Sequence, residues 1–368
     1  MQVRQYNILN KFLAFHFMRA FGLVFFCISG IIMLFSIINN MKTFVSKSVN
    51  FSVILEFSLL DVFNTLTTVL PLSVLLSGIL AFWRLSRTSE LTVIRSVGLS
   101  VWQFLAPVLF SCIVIGFFNM AVLSPIGSAI QRHTTKLSYK YGIGHNSALL
   151  FTQLGLWLKE KNDLTQSFIN ALYVKKEGKD LVGKDIVIFV TDLDNHFVKR
   201  IEAKDAILKN KNLELFNVFT INPLLYEERF DKYDFPTTLT VDRIEESSSV
   251  PQSFSFWELP GFISFFESAG FSARKYRAYF YQLLFMPLTL CTMLLIATIF
   301  SISPKRNQSN LVLKLSGGVL VGFGVFFMDQ IIRAMGTSGR FPLFISTITM
   351  SVIVILVCVT VLLYKEDG

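Results

Sequence analysis

Histidine and cysteine are scarce in this chain, with four of each among 368 residues. The cysteines, Cys27, Cys112, Cys291 and Cys358, all fall inside apolar runs without metal-ligand spacing, so they neither staple a polar domain nor make a zinc site. His16, His133 and His145 have no spaced partners, and no serine or cysteine nucleophile set is present. Charged residues are also few, at 16%, too few for the solvated surface of an ordinary soluble domain. The nearest approach to a phosphate loop is GKDLVGKD, 178–185, but Asp185 stands where a Ser or Thr hydroxyl must bind magnesium, and a polar hairpin is the better reading. DLDNH, 192–196, resembles a metal cluster, yet a carboxylate-rich turn between VIFV and FVKRIEA explains it more simply. The expectation is a chain that is not an enzyme, with no metal, no cofactor and no nucleic-acid partner.

What the chain has in abundance is apolar residues in blocks: 52% hydrophobic, 38 Phe, and a mean hydropathy of +0.55. Crossing a hydrocarbon core of about 30 Å takes about 20 apolar residues. Six runs meet that length: 15–38, 62–83, 101–123, 279–301, 311–332 and 343–364. The block between the third and fourth is too charged for lipid and is expected to be a separate domain on one side. Basic residues favour the cytoplasmic side. With the N-terminus inside, Arg4, Lys11, Arg84, Arg87, Arg95, Lys305, Arg306 and Lys365 lie in cytoplasmic pieces, against Lys42, Lys47, Arg333 and Arg340 outside. Both termini are therefore expected inside and the polar block outside. No small-residue cleavage site follows the first run, which reads as a retained helix. Residues 124–275 hold 19 basic and 19 acidic side chains, so the net charge of +9 belongs to the membrane part. Positive-inside bias is one cause of that excess, and attraction to anionic head groups is the alternative.

The polar block reads as β. ALLFTQLGLWLKEKND, FINALYVKKEG, the stretch 185–221 and TTLTV alternate in polarity and are broken by the turn pairs Gly178-Lys179, Asp194-Asn195 and Lys209-Asn210, a pattern of sandwiches and jelly rolls. Trp257, Leu259, Phe262, Ile263, Phe265 and Phe266 then form an amphipathic segment expected to lie on the outer membrane surface. The fold expected is six transmembrane helices plus an all-β jelly-roll domain. Its parts are 1–123 with a short helix at 87–99, the β domain at 124–254, the interfacial segment at 255–277, and 278–368.

The short helix is RTSELTVIRSVGLS, 87–100, set between two greasy runs. Glu90, Val93, Ile94 and Val97 share a face at helical spacing, Gly98 is a natural stop, and Glu90 sits near the favourable N-terminal dipole. An acid beside an apolar ridge suits a peg for a cytoplasmic partner; an interfacial loop helix without a partner is the other reading.

In SGII at 29–32, SEL-VI-SVG in the inner helix, the segment 125–136, GLWLK at 155–159, LPGFISFFESAGFSARKY at 259–276, FMPL at 285–288 and VGFGVFFMDQII at 321–332, the chain resembles the lipopolysaccharide-export permeases. These are the paired F and G membrane subunits of an ABC transporter. MDQII, the SGRFP loop and the acidic tail EDG are nearer the G subunit. The resemblance implies six spans, an outer β-jelly-roll, a coupling helix that meets a separate dimeric ATPase through Glu90, an F-type sister subunit, and a periplasmic bridge with a membrane-anchored adaptor. It places the chain in the bacterial inner membrane and makes lipopolysaccharide the substrate.

A phosphorylated, many-chained lipid needs cations at a rim and an apolar interior. The family's basic residues near the outer end of the first span are not matched: Met33 and Ser36 stand inside that span and the nearest cation is Lys42. Arg132 falls on a basic position after the third span and Lys136 close to another; Lys42 and Arg333 complete the candidates. Phe326, Phe327 and Ile331, with Ile332, are candidates for the acyl pocket. Ordinary interfacial cations and plain helix packing are the alternatives. A four-span mechanotransmission permease shares a similar inner motif but carries its outer domain between the first two spans. A non-transporting membrane scaffold would need neither cations nor peg.

Overall fold

The computed structural model describes residues 2–44, 50–88, 90, 100–140, 148–152, 155–161, 165–177, 180–192, 196–209, 212–223, 226–237, 250–268, 272–301 and 311–367. Two compact units emerge. One comprises Met1–Thr134, Phe254–Trp257 and Arg277–Gly368, the other Thr135–Ser253 and Glu258–Tyr276.

The first unit is helical. Its elements are α1 (Gln2–Phe44), α2 (Phe51–Arg87), α3 (Val101–Phe118), α4 (Ser124–Lys140), α6 (Arg274–Leu284), α7 (Met286–Ser301), α8 (Leu311–Thr337) and α9 (Leu343–Asp367), with α4 and α6 running across the division. Among the described residues, five stretches are long and apolar enough to cross a membrane: Leu9–Lys42, Phe51–Arg87, Val101–Thr135, Leu313–Thr337 and Leu343–Tyr364. The remaining expected span, 279–301, is a pair of helices, α6 and α7, meeting at a 53° bend. Pro287 is the second residue of α7, where a missing N–H costs least, so a new helix starts there more readily than the old one continues. Pro125 has a related effect after α3: it withholds the N–H owed to the Ala121 carbonyl, and Asn119–Leu123 form one π turn before α4. Ser100 starts α3 with a reciprocal cap. Its hydroxyl accepts from the Gln103 N–H at 3.3 Å, and the Gln103 carboxamide accepts from the Ser100 N–H at 3.2 Å.

Lipid tails are as apolar as leucine, so close backbone approach rather than hydrophobicity holds such helices together. A Cβ on Gly78 would lie 2.8 Å from that of Ala297, and one on Gly116 would lie 2.6 Å from the Pro287 Cα. Those glycines let α2 and α3 lie against α7. Gly322 of α8 meets Leu75 of α2 in the same manner. Around these contacts Leu75, Phe82, Phe104, Leu105, Leu290 and Leu294 form the dry core.

The second unit is a seven-stranded antiparallel sheet in sequence order: β1 (Ala148–Thr152), β2 (Gly155–Lys161), β3 (Thr165–Glu177), β4 (Asp180–Asp192), β5 (Phe197–Lys209), β6 (Asn212–Ile221) and β7 (Glu227–Pro236). GKDLVGKD enters β4 from Asp180 onward, so the phosphate-loop look-alike is strand. Asp192 closes the DLDNH turn, accepting from the His196 N–H at 2.8 Å. Gly178, Lys179, Asp194, Asn195, Asn210 and most of TTLTV lie outside the described residues.

A crease crosses this sheet. Pairing lapses at one residue in each of five strands, Leu172, Asp185, Lys204, Asn217 and Asp231, which form a single row. Burial changes phase there: Leu181 and Gly183 are followed by Ile186 and Ile188, Ile201 and Ala203 by Ala206 and Leu208, and Leu215 by Val218. A flat sheet keeps one phase throughout. The slip shows that the sheet turns a corner and keeps its apolar face inside. Asp185 and Asn217 take up the turn with φ of 52° each, a region that Asn and Asp tolerate better than branched residues. Beyond the crease the Thr237 hydroxyl, just past β7, donates to the buried Glu160 carboxylate of β2 at 2.7 Å. In a flat sheet those groups would be separated by five strand spacings of about 4.8 Å each. The sheet is therefore strongly rolled.

Asn217→Val is expected to destabilise the β unit by about 1–2 kcal/mol, while Asn217→Gly leaves it unchanged or stabler. Thermal unfolding of the full chain, followed through a reporter in the sheet, checks it. α5 (Leu259–Ser268) lays a stripe of Leu259, Ile263 and Phe266 into the protein, with Phe262 and Phe266 at 4.8 and 5.4 Å from the Tyr276 ring. Of the expected interfacial residues, Phe265 and Trp257 remain exposed.

Candidate functional site

α2 positions two groups of polar residues at its two ends. Towards its start, Ser58, Asp61 and Asn64 recur every three residues along one side. Asn40 of α1 donates from its amide to Ser58 Oγ at 3.1 Å and to Asp61 Oδ2 at 3.2 Å, and the Ser36 hydroxyl reaches the Ser58 carbonyl at 3.4 Å. One turn further, Asn64 donates to Gln131 Oε1 of α4 at 2.6 Å. Such bonds inside an apolar bundle fix register, because each amide left unpaired in hydrocarbon is costly. The seam sets two candidate cations. Lys42 lies two residues beyond Asn40 and is exposed; Arg132 follows Gln131, is exposed, and its guanidinium lies 3.5 Å from Ser128 Oγ. Lys136 is four residues further along α4, and its side chain lies outside the described set.

Arg333 arrives at the same level by another route. α8 passes α2 at the Leu75–Gly322 contact and runs antiparallel to it, since Gly318 meets Phe300 near the end of α7 while Ser301 Oγ meets the Ile79 carbonyl. From that contact, Asn64 on α2 and Arg333 on α8 are equally many residues away, about 16 Å at 1.5 Å per residue. Arg333 is not an open cation. It is largely buried and ion-paired with Asp329 one turn earlier. Below it, Phe323, Phe327 and Ile331 form an exposed apolar strip at i, i+4 and i+8, with Phe326 half-buried beside it. Basic side chains near one level of the bundle, together with an exposed apolar strip on α8, suit an amphiphile with an anionic head. Among the described residues no three His, Cys, Asp or Glu side chains come together as a metal site.

At the opposite end of α2 lies Glu90, in helical conformation and half-buried. Its Oε2 is shielded from solvent and, among the described residues, accepts no hydrogen bond. The Thr88 hydroxyl caps α2 by donating to the Arg84 carbonyl at 3.1 Å. Val93, Ile94 and Val97 lie outside the described residues. Between the Asn64 seam and Arg87, α2 covers about 35 Å, the depth of a bilayer.

The seam residues Asn40, Ser58, Asp61, Asn64 and Gln131, and the acid Asp329, were not read as a site from sequence. The spacing of Asp329 and Arg333, one helical turn, was the available signal for that pair.

The model of a family described as lipopolysaccharide export system permease LptF/LptG matches residues 11–364. The chain is 24% identical over 319 residues to the lipopolysaccharide export system permease protein LptG of Escherichia coli strain K12, covering 84% of this chain and 85% of that protein. It is 22% identical over 320 residues to the LptG of Haemophilus influenzae, covering 84% and 86%.

Proposed function

This chain belongs to the LptF/LptG family of lipopolysaccharide export system permeases, and on that premise we propose that it fills the G position beside an F-type sister and is driven by a separate dimeric ATPase. It is a permease subunit of the lipopolysaccharide export system, a transporter component and a multi-pass protein of the inner membrane. The observation that carries this is the family match across 11–364, which takes in the helical unit and the sheet together.

α6 and α7 count as one bent span, giving six, with both termini and Glu90 in the cytoplasm. The rolled sheet is a periplasmic jelly roll that hands lipid to a periplasmic bridge, with a membrane-anchored adaptor nearby. The Glu90 end takes the ATPase stroke, and α2 carries it to the level of Lys42, Arg132 and Lys136. There, phosphates of lipopolysaccharide meet the cations, and acyl chains lie along Phe326, Phe327 and Ile331. The creased sheet and the Glu160–Thr237 bond support the jelly-roll reading. The four-span mechanotransmission alternative is disfavoured because the sheet follows three apolar stretches rather than one.

Arg132→Glu tests the rim. Replacing attraction by repulsion opposite a phosphate is expected to reduce loading about tenfold, equivalent to about 1.4 kcal/mol, with ATPase co-purification unchanged. Photo-crosslinking of lipopolysaccharide from position 128, during turnover, reads it. Undiminished crosslinking in the variant would remove Arg132 from the rim.

A further inference from the structure

A cavity of about 500 Å³ lies between the first half of α1 and the last turns of α2. Arg19, Arg84, Arg87 and His16 line it together with Trp83 and Leu23, and among the described residues no acidic side chain does. The Arg87 guanidinium stands over the Trp83 ring at 5.6 Å, which holds that cation near the cavity mouth. None of the three arginines has an ion-pair partner among the described residues, whereas Arg333 and Arg200 both do. Three guanidinium groups around an acid-free hollow of this size describe an anion site. The negative end of the α2 dipole opposes an anion there by at most about 1 kcal/mol, less than three arginines supply.

The depth and the walls identify the anion's class. Arg84 and Arg87 close the apolar stretch of α2, and Trp83 is a residue type that gathers at the membrane–water boundary. Leu23 continues outward along α1 into the exposed row of Phe26 and Leu34, so one wall of the cavity runs directly into hydrocarbon. A soluble phosphate has no use for such a wall. A phosphate diester carrying two acyl chains does: its head fits among the arginines while the chains lie along α1.

We propose that this cavity is a binding site for the head group of an anionic glycerophospholipid, distinct from the cargo site at the other end of α2. It rests on the multi-pass reading of the chain but not on which lipid is exported. The lipid then wedges α1 against the end of α2 from which Glu90 projects, tying membrane composition to that end of the permease.

The test uses the full chain with its co-purifying subunits, stripped of lipid in detergent and titrated with phosphatidylglycerol by native mass spectrometry. Wild type is expected to bind phosphatidylglycerol about tenfold more tightly than phosphatidylcholine with the same chains, and Arg19→Gln/Arg84→Gln to lose that margin. Arg19→Lys/Arg84→Lys, which keeps the charges, is expected to stay within roughly threefold of wild type. Monodisperse elution and an unchanged melting temperature show that both variants are folded. Equal binding of phosphatidylcholine, or undiminished binding by the Gln variant, overturns the proposal. Full displacement by inorganic phosphate overturns it in favour of a free-anion site, and displacement by lipopolysaccharide at equal concentration in favour of a second cargo site. Loss of ATPase recovery in the Gln variant with lipid binding intact assigns the arginines to a protein contact instead. Exported lipid other than lipopolysaccharide would refute the cargo reading and leave this site standing.

Discussion

Asp329→Ala is expected to destabilise the helical unit by about 3–5 kcal/mol, the usual cost of leaving one member of a buried ion pair alone. Asp329 is 2% exposed and pairs with Arg333, itself largely buried, on the same helix. Neither Asp329 oxygen gains a conventional hydrogen bond elsewhere, so each charge depends on the other. Removing the acid strands a largely buried guanidinium without its counter-charge. Removing both reverses most of the loss: Asp329→Ala/Arg333→Met is expected to recover to within about 1 kcal/mol of wild type, since a well-packed apolar pair often equals a buried salt bridge. Unfolding of the four proteins in one detergent gives the coupling directly. Additive losses in the double variant would show that the pair is not a unit. A consequence concerns loading. The Arg333 charge is already neutralised by Asp329, so Arg333→Gln is expected to act on stability, whereas Arg132→Glu is expected to act on lipid loading.

That distinction was not legible in the sequence, where Arg333 looked like a loop cation and Asp329 like one letter of MDQII. The structure carries α8 on to Thr337 and turns both side chains inward. Composition was a better guide to the spans, because crossing hydrocarbon demands a length and polarity that a string of letters displays. The 53° break near Pro287 was less visible: a proline inside an apolar run is compatible with a continuous, kinked helix. Alternation revealed β1 to β6 but missed β7. EERFDKYDFP carries six charges and buries only Phe235, the profile of an edge strand protected from further pairing. The crease was hidden for a different reason. It consists of one unpaired residue in each of five strands, and only the pairing aligns them. The seam of Asn40, Asp61 and Gln131 is likewise a property of three helices together; singly, each is a polar residue of ordinary appearance.

Glu90→Lys is expected to abolish export and to reduce recovery of the ATPase about 100-fold, while membrane insertion stays normal. Glu90 Oε2 is shielded and accepts no hydrogen bond among the described residues, and a buried acceptor left without a donor costs about 1–3 kcal/mol. A donor from another chain removes that cost, and a basic residue in an ATPase groove supplies it with charge assistance. An exposed pair of this kind contributes only about 0–1 kcal/mol, but Glu90 is already half-buried in the isolated chain, and docking on the ATPase is expected to enclose it further. Reversing its charge then places two cations together, a penalty of roughly 3–5 kcal/mol or more than 100-fold in association. Glu90→Ala omits the repulsion and is expected to be milder in both readouts. The effect on transport is expected to follow from α2, a single helix reaching from Arg87 to the seam beside Arg132: force delivered at Glu90 would move the rim because the helix between is packed on α1, α7 and α8. A compensating acid in the ATPase groove is expected to restore export to Glu90→Lys. Wild-type export and ATPase recovery by Glu90→Lys alone would leave 87–100 an ordinary loop helix and send the search for the coupling contact to the segment 302–310, the other loop expected on that side.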